Sequence, residues 1–140
     1  MKTLRPILGA LVLVLIAGAA PAQQTKISAT VPFPFVAGDR LYPAGEYYFS
    51  RASVTNGIIE VSNGDRVIAA NILSHACLQT APPQQTKLVF HQVEGFYYLS
   101  QMWVAGNQWG REFPRSHTEV RLAENHANVE TVIVAANITR

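Results

Sequence analysis

Seven short runs of β-branched and aromatic residues constrain the fold of this 140-residue chain more than any other feature. Runs of this kind, separated by turn-forming residues, are typical of strands in antiparallel folds. The turns include residues 42–45 and 94–95, where proline and glycine favour a reversal of the chain. The pattern predicts an all-β fold, either an antiparallel β sandwich or a small barrel of about seven to eight strands. The predicted strands are residues 26–31, 46–50, 57–62, 66–73, 86–93, 96–104 and 130–136.

One short helix is predicted near the C-terminus, at residues 116–125. Ser116 and Glu119 have the spacing of a capping box, in which each side chain bonds to the backbone N–H of the other residue. Val120 and Ala123 are predicted to dock this helix against a sheet.

The first 22 residues have the pattern of a secretory signal peptide. Lys2 and Arg5 precede an apolar run at 7–20, and Ala20-Pro21-Ala22 fits the small-x-small pattern that signal peptidase cuts. The run is shorter than the roughly 20 residues of a membrane-spanning helix, which favours cleavage over an uncleaved anchor. We therefore predict one β-rich domain at residues 23–140, periplasmic or extracellular, with no membrane span after cleavage.

The charge of the chain argues against a nucleic-acid partner. It has 11 basic and 9 acidic residues, and Lys2 and Arg5 would leave with the signal peptide. The remaining domain would be neutral and has no cluster of basic residues, whereas nucleic-acid binding needs such a cluster.

Cys77 is the only cysteine, so an internal disulfide is excluded. The thiol is either buried as a small hydrophobe, paired with a second copy of the chain, or reactive. Its neighbours Ala76 and Leu78 favour burial.

The predicted strand at 96–104 is apolar on both faces. A sheet with one solvent-facing side would show polar residues at every second position. Either the helix and the strand at 130–136 cover the second face, which we favour, or that face lines a cavity or an interface between chains.

Two stretches carry a resemblance to other proteins: VPFPFVAGDRLYPAGEYYF at 31–49 and LVFHQVEGFYYLSQMWVAGNQWGREFPRS at 88–116. They resemble small exported bacterial proteins of unknown function that share the motifs V-P-F-x-F, L-P-A-G-x-Y, L-V-F-H, Y-x-L-S, W-x-x-G and G-R-E-x-P. This chain has Tyr42 between Leu41 and Pro43, one residue more than the turn of that group. The resemblance implies shared strands and turns, and it implies no activity, cofactor or catalytic residue.

Few residues point to catalysis, since neither G-x-S-x-G nor H-E-x-x-H occurs in the sequence. His75 and Cys77, two apart on one strand, could join His91 across a sheet to hold copper or zinc, which bind imidazole and thiolate. We favour scattered structural histidines, and predict no cofactor and no metal. Arg111 and Glu112 are interpreted as an exposed salt bridge and not as an acid–base pair.

The best candidate for a ligand site is the segment at 103–115, predicted as a structured loop between a strand and the helix. Its candidate binding residues are Trp103, Trp109, Arg111 and Glu112, because exposed indole and guanidinium groups bind sugars, peptides and anions. The guanidinium could lie over either indole or pair with a carboxylate.

The favoured function is a non-catalytic binding or envelope-associated β module, whose partner is an unknown ligand or envelope component. The first alternative is a self-associating structural protein, such as a homodimer. The second alternative is a hydrolase or a metal-binding protein that uses His75, Cys77 and His91.

Overall fold

The computed structural model describes residues 24–52, 57–65, 67–125 and 128–139. The predicted signal peptide lies outside these ranges. Within them the chain forms twelve strands and one helix, α1 (His117–Glu124). The strands are β1 (Lys26–Val31), β2 (Phe35–Ala37), β3 (Arg40–Tyr42), β4 (Gly45–Arg51), β5 (Ile58–Asn63), β6 (Ile68–Leu73), β7 (His75–Leu78), β8 (Lys87–Val93), β9 (Phe96–Trp103), β10 (Trp109–Glu112), β11 (Val129–Ala135) and β12 (Asn137–Thr139).

The strands form two sheets. The five-stranded sheet has the order β12-β1-β4-β5-β6, and every neighbouring pair in it is antiparallel. The seven-stranded sheet has the order β11-β8-β9-β10-β7, with β2 paired in parallel to β9 and β3 paired to β2. The predicted all-β sandwich with one short helix is confirmed, and the barrel alternative is wrong because the sheets do not close.

The number of strands exceeds the predicted seven to eight. The additional strands are β2, β3, β7, β10 and β12, each only three or four residues long. Segments this short do not show a full alternation of apolar and polar residues, and this alternation is the pattern that indicates a strand in a sequence. The most consequential of them is β10, because it replaces the middle of the loop predicted at 103–115.

The main core lies between the sheets and is built around aromatic rings. Phe35 is fully buried and stacks on Tyr42 with ring centroids 5.2 Å apart, while Tyr47 meets it edge-on at the same distance. Phe33 joins this cluster through Phe90, whose ring centroid lies 5.1 Å from that of Phe33 and 5.5 Å from that of Phe35. The V-P-F-x-F and P-A-G-x-Y segments therefore meet in one aromatic cluster.

Part of the outer face of the seven-stranded sheet is covered as well. α1 packs against β8, and Tyr98 and Trp103 are buried although neither belongs to the core cluster between the sheets. The prediction that the helix covers the second apolar face of the sheet at the strand at 96–104 is confirmed. The prediction that the strand at 130–136 also covers this face is wrong, because β11 lies beside β8 in the same sheet.

The cap of α1 differs in part from the predicted capping box. Ser116 is the N-cap, and its Oγ accepts a hydrogen bond from the backbone N–H of Glu119 at 3.1 Å. The second half of the box is replaced, since Oε1 of Glu119 lies 2.8 Å from Nδ1 of His91 on β8. Val120 is exposed, so Glu119 and not Val120 is the residue that α1 buries.

Two tyrosines of the aromatic cluster provide a matched test of hydrogen bonding. The buried hydroxyl of Tyr42 has no hydrogen-bond partner among the described residues, whereas the hydroxyl of Tyr47 donates to the carbonyl of Pro43 at 2.7 Å and closes the turn before β4. Because an unsatisfied buried hydroxyl is costly, Tyr42→Phe should raise the free energy of unfolding by about 1 kcal/mol. Tyr47→Phe should lower it by about 1 kcal/mol.

Urea denaturation of both variants measures this difference, and the two substitutions remove the same atom. An equal loss of stability in the two variants would show that the hydroxyl of Tyr42 is satisfied in solution.

Candidate functional site

A cleft of about 360 Å³ opens between the two sheets. The five-stranded sheet contributes β1 and β4 to its walls, and the seven-stranded sheet contributes β9, β10 and the loop that joins them. Ile27, Phe49 and Met102 give the cleft an apolar floor, and all three side chains are buried. The same cleft is lined by two of the predicted site residues, Trp109 and Arg111.

Strand β10 determines which side chains reach the cleft. Trp109 and Arg111 are two residues apart on one strand, so they point to the same face. That face is the inner one, because Arg111 is paired in register with Met102, a member of the core between the sheets. Glu112 points to the opposite face and is exposed. The strand therefore places the indole of Trp109 and the guanidinium of Arg111 on the same side, facing the cleft, and it leaves Glu112 out of the cleft.

Arg111 is held at a corner of the sandwich. Its Nε donates to Oγ of Ser74 and its Nη2 donates to the carbonyl of Ser74, both at 3.0 Å. Ser74 is the residue at which the chain passes from β6 in one sheet to β7 in the other. Ser74 is itself fixed by two hydrogen bonds to the carbonyl of Gly57, from its N–H at 2.7 Å and from its Oγ at 3.0 Å. The guanidinium thus has a defined position.

The charge of Arg111 has no counter-ion in the described ranges of the chain. The side chain is 9% exposed, and no carboxylate of the described residues lies within 4.0 Å of it. The predicted salt bridge with Glu112 is therefore wrong, since alternation along β10 places the two side chains on opposite faces. The guanidinium also does not lie over Trp109 or Trp103; the cation–π contact found in the described structure joins Arg40 and Tyr42.

A second arginine adds positive charge to the cleft. Arg51, at the end of β4, lines the cleft and is exposed. Burial lowers the pKa of Arg111, and the positive charge of Arg51 lowers it further. A guanidinium nevertheless stays protonated at physiological pH. The cleft therefore presents two like charges that an anion would neutralise.

The two tryptophans have different roles. Trp109 is 56% exposed and lines the cleft. Trp103 is 1% exposed and lies on the outer face of the sheet, where its ring packs against Gly110. The indole N–H of Trp103 donates to Oε1 of Gln101 at 3.0 Å. Of the two candidate indoles, only that of Trp109 is placed where a ligand in the cleft would touch it.

The loop between β9 and β10 is tied down by backbone hydrogen bonds. Gly106 donates to the carbonyl of Pro83, and Gln108 accepts from Gln79, both at 2.9 Å. Within the loop, the N–H of Trp109 donates to Oδ1 of Asn107 at 2.9 Å. The proline-containing connection at 79–85 therefore supports this side of the cleft and holds it in shape.

The predicted metal ligands do not come together. His75 and Cys77 lie on β7, and His91 lies on β8, with β9 and β10 between them in the sheet. Strands β7 and β8 are three strand spacings apart, which is about 14 Å. A single ion cannot bind ligands at both strands across this distance. No group of three potential metal ligands occurs among the residues that the structure describes. The hypothesis of a copper or zinc site at these residues is wrong.

Cys77 is partly exposed and free. Burial raises the pKa of its thiol, and the negative charge of Glu112 raises it further, while Arg111 and a backbone hydrogen bond from Gly110 act in the opposite direction. A thiol with a raised pKa is mostly protonated near neutral pH and is a weak nucleophile. The prediction that this cysteine is buried holds only in part.

Sequence reasoning missed half of the cleft. Ile27 and Phe49 are predicted only as residues of strands, and no prediction includes Arg51 or Ser74. These residues reach the cleft because one sheet stacks on the other, and no local pattern in the sequence signals that proximity. Comparisons of the chain with protein-family models, with curated proteins and with solved structures find no match. No helix of the described residues is long and apolar enough to span a membrane.

Proposed function

We propose that this chain is an exported, non-catalytic binding module and that the cleft between its sheets is the ligand site. The observation that carries the proposal is the environment of Arg111, a buried cation whose hydrogen bonds within the described part of the chain go only to the neutral oxygens of Ser74. Burying a charge without a counter-charge is costly. A domain that needed only a hydrogen bond at this corner could use a neutral donor. The charge is therefore best explained by a ligand that enters the cleft.

The shape of the cleft supports the same proposal. Its volume of about 360 Å³ lies within the range of small-molecule sites, roughly 300–1,000 Å³. Hydrogen bonds to the 79–85 connection hold one wall in place before any ligand arrives. A wall that is already ordered loses little entropy on binding.

The residues of the cleft do not favour catalysis. None of the described residues that line it is a histidine, cysteine, aspartate or glutamate. General acid–base catalysis depends on such groups, and the hydroxyls of Thr25 and Ser50 have no base beside them in this lining. Binding without turnover is the function that fits this composition.

Fragment screening by NMR tests the proposal without assuming a ligand class. With the protein secreted from an export-competent host, fragments that bind should shift the indole N–H of Trp109 and the amide of Gly110. Trp109→Ala should weaken these fragments about five- to tenfold, because it removes an exposed aromatic wall. Phe96→Ala is the matched control, since Phe96 is 55% exposed and lies outside the cleft. Shifts that cluster elsewhere, or equal losses in the two variants, would refute the proposed site.

A second candidate function is self-association through β7, the edge strand of the seven-stranded sheet. Leu78 of β7 and Trp109 of β10 are paired in register, and both are more than half exposed. An exposed apolar edge strand is prone to pair with another chain. A dimer in light scattering that Leu78→Lys dissociates would support this candidate, and a monomer at all concentrations would exclude it.

A further inference from the structure

We infer that the ligand of the cleft is a small amphipathic anion: a carboxylate joined to an apolar chain or ring. This inference rests on the proposed function, because it specifies what the same cleft binds. It is carried by the hydrogen-bonding capacity that Arg111 leaves unused and by the apolar surface that lies beside it.

The guanidinium of Arg111 has donors to spare. Of its five N–H groups, one on Nε and one on Nη2 are taken by Ser74. The donors that remain include one on each terminal nitrogen, and these two are parallel. A parallel pair of N–H groups matches the two coplanar oxygens of a carboxylate, which binds such a fork through two hydrogen bonds.

Arg51 completes the anion site from the opposite sheet. It lines the same cleft, its positive charge disfavours the charge of Arg111, and no ion pair involves it in the described part of the chain. Two unneutralised guanidinium groups repel each other across the cleft. An anion between them removes that repulsion and gains attraction from both, so the site selects for negative charge.

The rest of the cleft selects for an apolar group. Ile27, Phe49 and Met102 form the floor, and the exposed indole of Trp109 stands beside it. A purely polar anion would leave this indole in water, whereas an apolar chain or ring would cover it and gain from its burial. We therefore place the carboxylate at the two arginines and the apolar part along Trp109 and the floor.

The test compares four probes with one chain length and different head groups: octanoate, octanol, octylammonium and octyl phosphate. The full chain is expressed in an export-competent host, and the secreted protein is used. Binding is followed by NMR shifts of the Trp109 indole N–H and by calorimetry. Octanoate should bind at least about tenfold more tightly than octanol, because it gains charge-assisted hydrogen bonds, and octylammonium should bind most weakly. Octyl phosphate is included to separate a carboxylate site from a phosphate site.

Substitutions assign the preference to the arginines. Arg51→Gln removes an exposed charge and should weaken octanoate about fivefold while leaving octanol unchanged. Arg115→Gln is the matched control, because it removes the charge of an exposed arginine outside the cleft, and it should change neither affinity. Arg111→Lys keeps the charge but loses the parallel donors, so it should also weaken octanoate; its thermal unfolding is recorded to show that the variant folds.

The outcomes separate the ligand class from the proposed function. Equal binding of octanoate and octanol in the cleft, or tighter binding of octyl phosphate, would overturn the carboxylate assignment and leave the cleft as a binding site. An octanoate preference that Arg51→Gln does not reduce would also overturn it. Probe-induced shifts confined to another surface would refute the proposed site itself.

Discussion

Replacing Gly110 with alanine should lower the free energy of unfolding by about 3 kcal/mol. A Cβ at Gly110 would stand 2.5 Å from Cε3 of Trp103 and 2.7 Å from two further ring atoms. Carbon atoms do not approach this closely, so either the indole or the strand must move. The substitution adds only one methyl group, and the whole effect comes from its position.

Neither side of this contact can yield easily. The indole of Trp103 is almost completely buried, and its N–H is bonded to Gln101. The backbone of β10 is paired with β7 on one side and with β9 on the other. Moving the strand would break hydrogen bonds in two ladders, and moving the ring would disrupt a packed outer face.

Denaturant unfolding of Gly110→Ala measures the effect. Gly64→Ala is the control, since no atom lies within 4 Å of the Cβ that it would add, and its stability should stay close to that of the parent. Trp103→Leu combined with Gly110→Ala should show strong non-additivity, because the smaller side chain removes the clash. Equal stabilities of the two glycine variants would show that β10 does not lie against the indole as described.

The same contact shows what the sequence can and cannot predict about this site. The strands of six or more residues, such as β1, β8 and β9, are predicted within one or two residues. Strand β10 was missed because it has four residues and contains a glycine. The glycine that argues against a strand locally is required there by a ring from the neighbouring strand.

The residues of the cleft also divide into those that the sequence indicates and those that only the folded structure brings there. Trp109 and Arg111 are notable in the sequence because of their residue types, and the structure places both at the cleft. Trp103 is equally notable, but the alternation of β9 and β10 places it on the outer face. The opposite wall, with Phe49 and Arg51, depends on how the sheets stack, which no local pattern encodes.

A local rule also failed at the helix for a physical reason. The capping-box spacing predicts that the carboxylate of Glu119 turns back to the backbone of Ser116. The carboxylate instead contacts His91, which is 28 residues away in the sequence. A side chain on the neighbouring sheet strand thus replaces the backbone N–H of Ser116 as the partner of Glu119.

Glu119→Ala should lower the free energy of unfolding by about 2 kcal/mol and loosen α1 from the sheet. Glu119 is 4% exposed, and its bond to His91 is a direct polar link between the helix and β8. A helix of eight residues is too short to be stable alone, so it depends on such contacts. We place the loss below that of a fully buried ion pair because His91 is partly exposed.

The environment of Tyr98 provides a second readout of the same contact. Its pKa is raised by burial and, to a lesser degree, by the negative charge of Glu119, while a hydrogen bond with Thr118 opposes the shift. Both helix residues thus act on the face of the sheet that α1 covers. When the helix loosens, the phenol should become solvated and its pKa should fall toward the ordinary value.

Hydrogen exchange and denaturant unfolding of four variants test this prediction: Glu119→Ala, His91→Ala, the double variant of these two, and Glu124→Ala. Glu119→Ala should speed exchange of the α1 amides and lower stability, whereas Glu124→Ala, an exposed change on the same helix, should do neither. The double variant with His91→Ala should cost less than the sum of the two single changes, because each single change already removes the shared bond. Additive losses would mean that the bond contributes nothing and that α1 is held by apolar contacts alone. Non-additive losses with rapid exchange confined to α1 would show that one buried polar bond keeps the outer face of the sandwich closed.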